Sequence, residues 1–243
     1  MKNLIKAEFF KLRKSTAYKA LLMVYFIMEA VIQMNNVSNS VVYPKYNPAY
    51  TGVEFLLLGE HQTVLLYFVV VFLFTAFYVN GDFTAHTFYS SLLCGIPRKN
   101  AFWAKAISLF IGMVPLMLVY FLTGTVLWSI HSGFGMNFGT EAVFLIAKAF
   151  AIQIGMSIIL ASHAVLFAVI AKGKTSTFLL CFGTLYVAGV LRGNIENIIP
   201  IPAISKILLF LLSLSALNYG TLLASILLKL LAARAIFERF DLK

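Results

Sequence analysis

Long apolar runs separated by short polar stretches organise the chain. Six runs approach the ~20 apolar residues that a membrane-spanning helix needs. They lie at roughly Tyr18–Met34, Thr63–Val79, Ala106–Ile130, Val143–Ala171, Thr175–Leu191 and Ile207–Leu228. The third contains Gly112 and Pro115, a pair that favours a kink. Ahead of the first run stands "KNLIKAEFFKLRK". At 100° per residue, Leu4, Ile5, Glu8, Phe9 and Leu12 share one side, and Lys2, Lys6, Arg13 and Lys14 share the other. That pattern predicts a helix lying in the membrane interface, with Lys6, Lys11 and Arg13 towards anionic headgroups and Phe9 and Leu12 towards the apolar layer. A bare cationic flank without a helix is the weaker alternative.

The remaining polar stretches are unequal. Asn35–Gln62 includes "VEFLLLGE", a patch bracketed by Glu54 and Glu60 that is too short to span and is expected in the interface. Residues 192–205, "RGNIENIIPIPAIS", are apolar but broken by Pro200 and Pro202. A re-entrant hairpin and a plain surface loop both fit them. No internal repeat is evident.

Composition then fixes the class. The chain is 61% hydrophobic and 12% charged, where a soluble domain carries about 25% charged residues. An all-α polytopic membrane protein follows, as a single transmembrane domain over residues 1–243. The net charge of +10 reads as cytoplasmic flanks and lipid headgroup contacts rather than nucleic acid. With the N-terminus inside, the inner segments hold fifteen of the 19 Lys and Arg. This asymmetry predicts six helices in the plasma membrane with both termini cytoplasmic. The cationic start followed by an apolar run resembles a signal peptide, but no small-residue cleavage site closes it, so it reads as retained. Cys94 and Cys181 fall at different expected depths and are not expected to pair.

The segment "NGDFTAHTFYSSLLCGIPRKNAFWAKA", residues 80–106, faces the cytoplasm in this topology. Asp82 is a good helix N-cap type, Phe83, Phe88, Tyr89, Leu92 and Leu93 supply apolar contacts, and Gly95 and Pro97 stop a helix. A short helix docking into a groove on a soluble partner and a simple continuation of the second span fit equally well. The order of basic N-terminal helix, two spans, acidic residue, Thr, Leu-rich turn, Pro, basic residue and a later Lys resembles ABC-2 type permeases. The matching positions are Asp82, Thr87, Leu92, Leu93, Pro97, Arg98, Lys99 and Lys105. Two departures are an Asp where Glu is more typical and His86 where Gly often stands.

The resemblance implies an ABC-2, type V exporter-like fold. Residues 1–16 become an interfacial elbow helix and residues 81–97 a cytoplasmic coupling helix, with Asp82, Phe83, His86, Thr87, Phe88, Tyr89, Leu92, Leu93, Pro97 and Arg98 meeting an ATPase. It implies two ABC ATPase subunits holding ATP and Mg, a second permease copy or homologue, and lipid contacts. The implied cargo is a hydrophobic or amphipathic peptide, as in toxin export or bacteriocin self-immunity. An exporter of lipids or drugs and a secondary carrier without an ATPase are the alternatives. The carrier class asks for mid-bilayer charges and inverted repeats, which the sequence does not clearly show.

No enzymatic set emerges. Gly173-Lys174-Thr175 imitates the end of a phosphate-binding loop, but Ala168 stands where the first Gly is required. His61, His86, His131 and His163 lack ligand spacing, so neither a metal nor a cofactor is expected in this chain. Adjacent Ser162 and His163 point to different faces of a helix. Polar residues inside spans carry a default functional reading because lipid makes them costly: Glu29, Lys148, Gln153, His163 and Asn218. For Glu29 and Lys148 interfacial snorkelling is favoured; Asn218 is read as a helix–helix contact. Ala147, Ala151 and Gly155 permit close packing, either within the subunit or at a dimer seam.

Overall fold

A computed structural model describes residues 2–42, 50–58, 64–85, 93–135, 139–184 and 219–239. Among them all regular structure is helical: α1 (Lys2–Lys14), α2 (Thr16–Val42), α3 (Gly52–Leu58), α4 (Val64–Thr84), α5 (Arg98–Ser132), α6 (Thr140–Ala171), α7 (174–184) and α8 (Tyr219–Arg239). Among the described residues four helices are long and apolar enough to cross a membrane, namely α2, α4, α5 and α6. The fifth predicted span is described only as far as residue 184. Residues 207–218 of the sixth, with Asn218, lie outside the described residues, as does 192–205.

Local chemistry sets the boundaries. α1 and α2 meet at Ser15, whose hydroxyl accepts from the Tyr18 backbone N–H at 3.2 Å and so caps α2. A reciprocal box starts α3: the Thr51 N–H donates to Glu54 Oε2 at 2.8 Å, and the Glu54 N–H donates to Thr51 Oγ1 at 3.3 Å. Gly95 turns with φ +79°, and the Pro97 carbonyl then accepts the Asn100 and Ala101 N–H groups to open α5. α5 continues through Pro115 as one helix. Pro115 offers no N–H to the preceding turn, and Tyr18 donates its hydroxyl to the Gly112 carbonyl there at 2.6 Å.

Two sequence expectations change. The second span runs on to Thr84, so residues 81–84 belong to α4 and Asp82 is not the N-cap of a separate helix. The apolar patch in the first outer segment does form a helix, α3, but it is docked rather than merely interfacial. Val53 and Phe55 are buried, and the Gly52 and Val53 N–H groups donate to the Gly133 and Phe134 carbonyls at 3.1 and 3.0 Å. The Phe55 ring occupies the notch at Gly124, where an added Cβ would stand 2.0 Å from ring atom Cε1.

The chain divides into two compact units, and α4, α5 and α6 each contribute residues to both. One unit comprises Met1–Glu8, Phe72–Leu109 and Ile158–Lys243; the other comprises Phe9–Val71 and Phe110–Ser157. In the second unit α2 is inside-out by soluble standards. Its fully buried residues are Tyr25, Glu29, Gln33 and Ser40, while Met23, Val24, Phe26, Ile27, Met28, Val31 and Met34 are exposed. An apolar outer face suits acyl chains, which solvate Met and Ile as well as a protein core does. Ala147 and Ala151 are also exposed, and nothing described lies within 4 Å of a Cβ added at Gly155. That stripe makes no close packing contact within the described residues.

Candidate functional site at the ends of α4 and α5

The first unit gathers charge where the chain is otherwise apolar. α1 delivers Glu8 on the stripe that also carries Ile5. α4 delivers Tyr78, Asn80 and Asp82 in its last two turns, and α5 delivers Lys105 two turns after its start. The Lys105 ammonium donates to Glu8 Oε2 at 2.9 Å and to Asp82 Oδ2 in a shorter contact, with its side chain only 4% exposed. The Tyr78 ring lies against the ammonium, 3.6 Å from Nζ to centroid, and the Tyr78 hydroxyl donates to Glu8 Oε2 at 2.9 Å. One buried cation is thus held by two carboxylates and a ring face, which offset part of the cost of its desolvation.

Further contacts extend this node. Asn80, fully buried, donates through Nδ2 to the Gly173 carbonyl at 3.0 Å and to the Thr177 hydroxyl, fastening α4 to the turn between α6 and α7. Lys172 adopts φ +54° in that turn, and Lys174 extends over the Phe77 ring at 5.5 Å. Gly173-Lys174-Thr175 therefore serves as a helix connection. The Arg98 guanidinium donates to the Glu238 carbonyl at 2.9 Å, and Arg234 pairs with the Glu238 carboxylate at 2.7 Å. Phe237 of α8 packs against Phe83 and Phe102 with ring centroids 6.0 and 5.9 Å apart. These three rings line a small apolar cleft with Val79, Lys105 and Ala106.

The structure sorts the sequence-derived candidates. Asp82, Phe83 and Arg98 join this node. Leu93 and Pro97 are exposed, and His86, Thr87, Phe88, Tyr89 and Leu92 lie outside the described residues. On α1, Lys6, Lys11 and Arg13 are exposed, Leu12 is buried and Phe9 is largely exposed. Glu29 does not snorkel: it is fully buried and accepts from the Gln33 side-chain amide at 2.8 Å. Its helical position, one turn from Tyr25 and Gln33, keeps it on the inward face. Lys148 is exposed; Gln153 is half-buried, and its carbonyl accepts from the Ser157 hydroxyl at 2.7 Å. His163 is buried, bonded to the Thr184 hydroxyl at 2.9 Å and packed on Phe72 and Phe167. Glu8, Tyr78 and Asn80 were absent from the candidates. The usable signal was Glu8, an acid on the apolar face of an amphipathic helix.

Among the described residues, apolar helices and a buried charge cluster at helix ends define a polytopic membrane protein. The chain belongs to the ABC-2 family: the family described as "ABC-2 family transporter protein" matches residues 4–190, spanning α1 to α7 and every node residue up to Thr177. No curated protein matches the chain. It is thus a membrane-embedded permease of an ABC transporter, and its family implies an ABC ATPase as partner.

Proposed function

We propose that this permease is an exporter subunit whose charged node hands the movement of a bound ATPase to the membrane helices. In this reading the chain crosses the plasma membrane six times with both termini cytoplasmic. α1 is the elbow helix, and the segment between α4 and α5 docks on the ATPase. Two ATPase subunits bind ATP and Mg, and two permease copies or homologues form the pore. The observation that carries the reading is the Glu8–Lys105–Asp82 ion-pair cluster. Residues 85–97 connect the very helix ends that Lys105 joins, so any displacement of that segment loads α4 and α5 together and reaches α1 through Glu8. Arg98 and Phe83 pass the same load to α8. A stiff, mutually bonded cluster transmits a two-state motion where independent helix ends would each relax.

The docking contact is tested by Phe88→Asp with Leu92→Asp. Co-expressed with its ATPase, the wild-type chain retains that subunit through purification, and the double variant releases it while keeping its helical content by circular dichroism. Retention of the ATPase by the variant would overturn the docking assignment. The cargo we infer is an amphipathic peptide, in keeping with the apolar, aromatic-rich spans of a chain that contains 23 Phe and 11 Tyr in all. Stimulation of ATP hydrolysis in nanodiscs by such peptides supports it; stimulation by lipids or drugs alone sinks it.

A further inference from the structure

The short helix α3 is fastened to α5 by few contacts, and the seat beneath it is imperfect. After α5 ends at Ser132, Gly133 turns with φ +80° and Gly135 with φ +90°. These left-handed positions suit glycine. They set the Gly133 and Phe134 carbonyls to accept from the Gly52 and Val53 N–H groups. The other anchor is the Phe55 ring in the Gly124 notch, which packs on Tyr120 at 6.0 Å between centroids. Tyr120 lies 5.8 Å from Tyr67, and Tyr67 lies 6.5 Å from Tyr25. Phe55 thus heads a row of buried rings that starts at α3 and ends on α2. Under the first turn of α3 stands Ser129. A Cβ added at Gly52 would come within 2.0 Å of its Oγ. That hydroxyl is buried and has no hydrogen-bond partner. A hydroxyl buried without a partner costs free energy, which water returns once the group is exposed. The docked position of α3 therefore carries a penalty at the very place where its holding contacts are few. Alanine at position 129 would avoid that penalty, so stability alone does not account for a serine there.

We propose that α3 is an outer lid, closed in this structure, which leaves the Gly124 notch during the ATPase cycle and uncovers the row of rings beneath Phe55. Lifting withdraws one ring, breaks two backbone bonds and lets water reach the Ser129 hydroxyl. The gain at Ser129 offsets part of the loss, so the two positions lie close enough in free energy for a bound partner to choose between them. α5 carries Lys105 of the charged node and, beyond Pro115, Gly124 and Ser129 of the dock. Movement delivered to the first turns of α5 therefore reaches the lid along one helix. The inference rests on the topology and the ATPase coupling proposed above, and adds the element that closes the outer end.

The test uses the full chain with its ATPase in nanodiscs. Hydrogen exchange at the α3 amides is compared between the nucleotide-free complex and the complex trapped with ATP and vanadate. Their protection is expected to differ at least about tenfold between the two states. Equal protection overturns the proposal, and this arm needs no substitution. Ser129→Ala removes the unpaired hydroxyl and is expected to slow α3 exchange about threefold in the nucleotide-free complex. Unchanged or faster exchange in that variant overturns the penalty on which the lid depends. A third arm staples the lid with Gly52→Cys and Ser129→Cys in a Cys94→Ser, Cys181→Ala background. The Cβ built at Gly52 stands 3.2 Å from the Ser129 Cβ, near the ~3.8 Å usual for a disulfide. Oxidation is expected to lower ATP hydrolysis severalfold in the pair alone, with recovery on reduction. Hydrolysis that ignores the staple overturns the proposal. An ATPase that stays bound and active while α3 exchange ignores nucleotide sinks the lid alone, whereas absence of any co-purifying ATPase sinks the permease reading.

Discussion

Lys105→Met is expected to destabilise the subunit by about 3–5 kcal/mol, the range seen when one partner is stripped from a buried ion pair. The substitution keeps most of the side-chain volume and deletes only the charge. Glu8 and Asp82 would then lose the cation they share beneath the Tyr78 ring. Glu8 retains 20% side-chain exposure, so water relieves part of the cost and the lower end of the range is expected. Thermal unfolding in detergent micelles, followed by intrinsic fluorescence, measures the loss. Lys105→Arg is expected to fall between, because a planar guanidinium keeps the charge but cannot seat as a compact point over the ring. Combining Lys105→Met with Asp82→Asn removes one of the two carboxylate charges and is expected to recover part of the loss, a coupling that independent sites do not show. An unfolding temperature for Lys105→Met equal to the wild type would mean that the cluster holds nothing together.

Gly124→Val is the second large effect. A Cβ at this position would lie 2.0 and 2.1 Å from Cε1 and Cζ of Phe55, a ring that is 4% exposed. A phenyl ring cannot bend aside as the end of a lysine can, so α3 must lift from α5. Overpacking of this kind costs about 1–3 kcal/mol. The backbone bonds from Gly52 and Val53 to the Gly133 and Phe134 carbonyls are then lost with the dock. Hydrogen exchange at α3 amides reports it directly: protection present in the wild type is expected to vanish in Gly124→Val. Adding Phe55→Ala empties the notch and is expected to restore the seating of the short helix in part. Full protection in Gly124→Val would show that α3 is held by its loop bonds and not by the ring.

Much of this architecture could be read from hydrophobic runs alone, because a span must satisfy its own backbone and advertises itself by length and composition. α2, α4, α5 and α6 fall where the runs place them, and α1 emerges from its 100° periodicity. Helix ends were less legible. α4 continues past Val79 through Asn80, Gly81 and Asp82 because those polar groups find partners in Gly173, Thr177 and Lys105. Such partners are 23 to 97 residues away in the chain, beyond the reach of local pattern. The same limit hid the environment of Glu29. A carboxylate near a span end reads as snorkelling, and only the placement of Gln33 and Trp128 reveals that it points inward. Lys105 was visible as a basic residue in a degenerate motif, but its role as the cation between α1 and α4 needed three-dimensional contact.

The Glu8–Lys105 pair has a bearing on how the polypeptide is made. Its two ends are 97 residues apart, so at ordinary elongation rates of 5–20 residues per second about 5–20 s separate their synthesis. During that interval Glu8 has been translated and its cation has not. The first helix can therefore reach its final seat only after the third long helix has left the ribosome, which makes its docking a late step of biogenesis and a natural checkpoint for quality-control proteases.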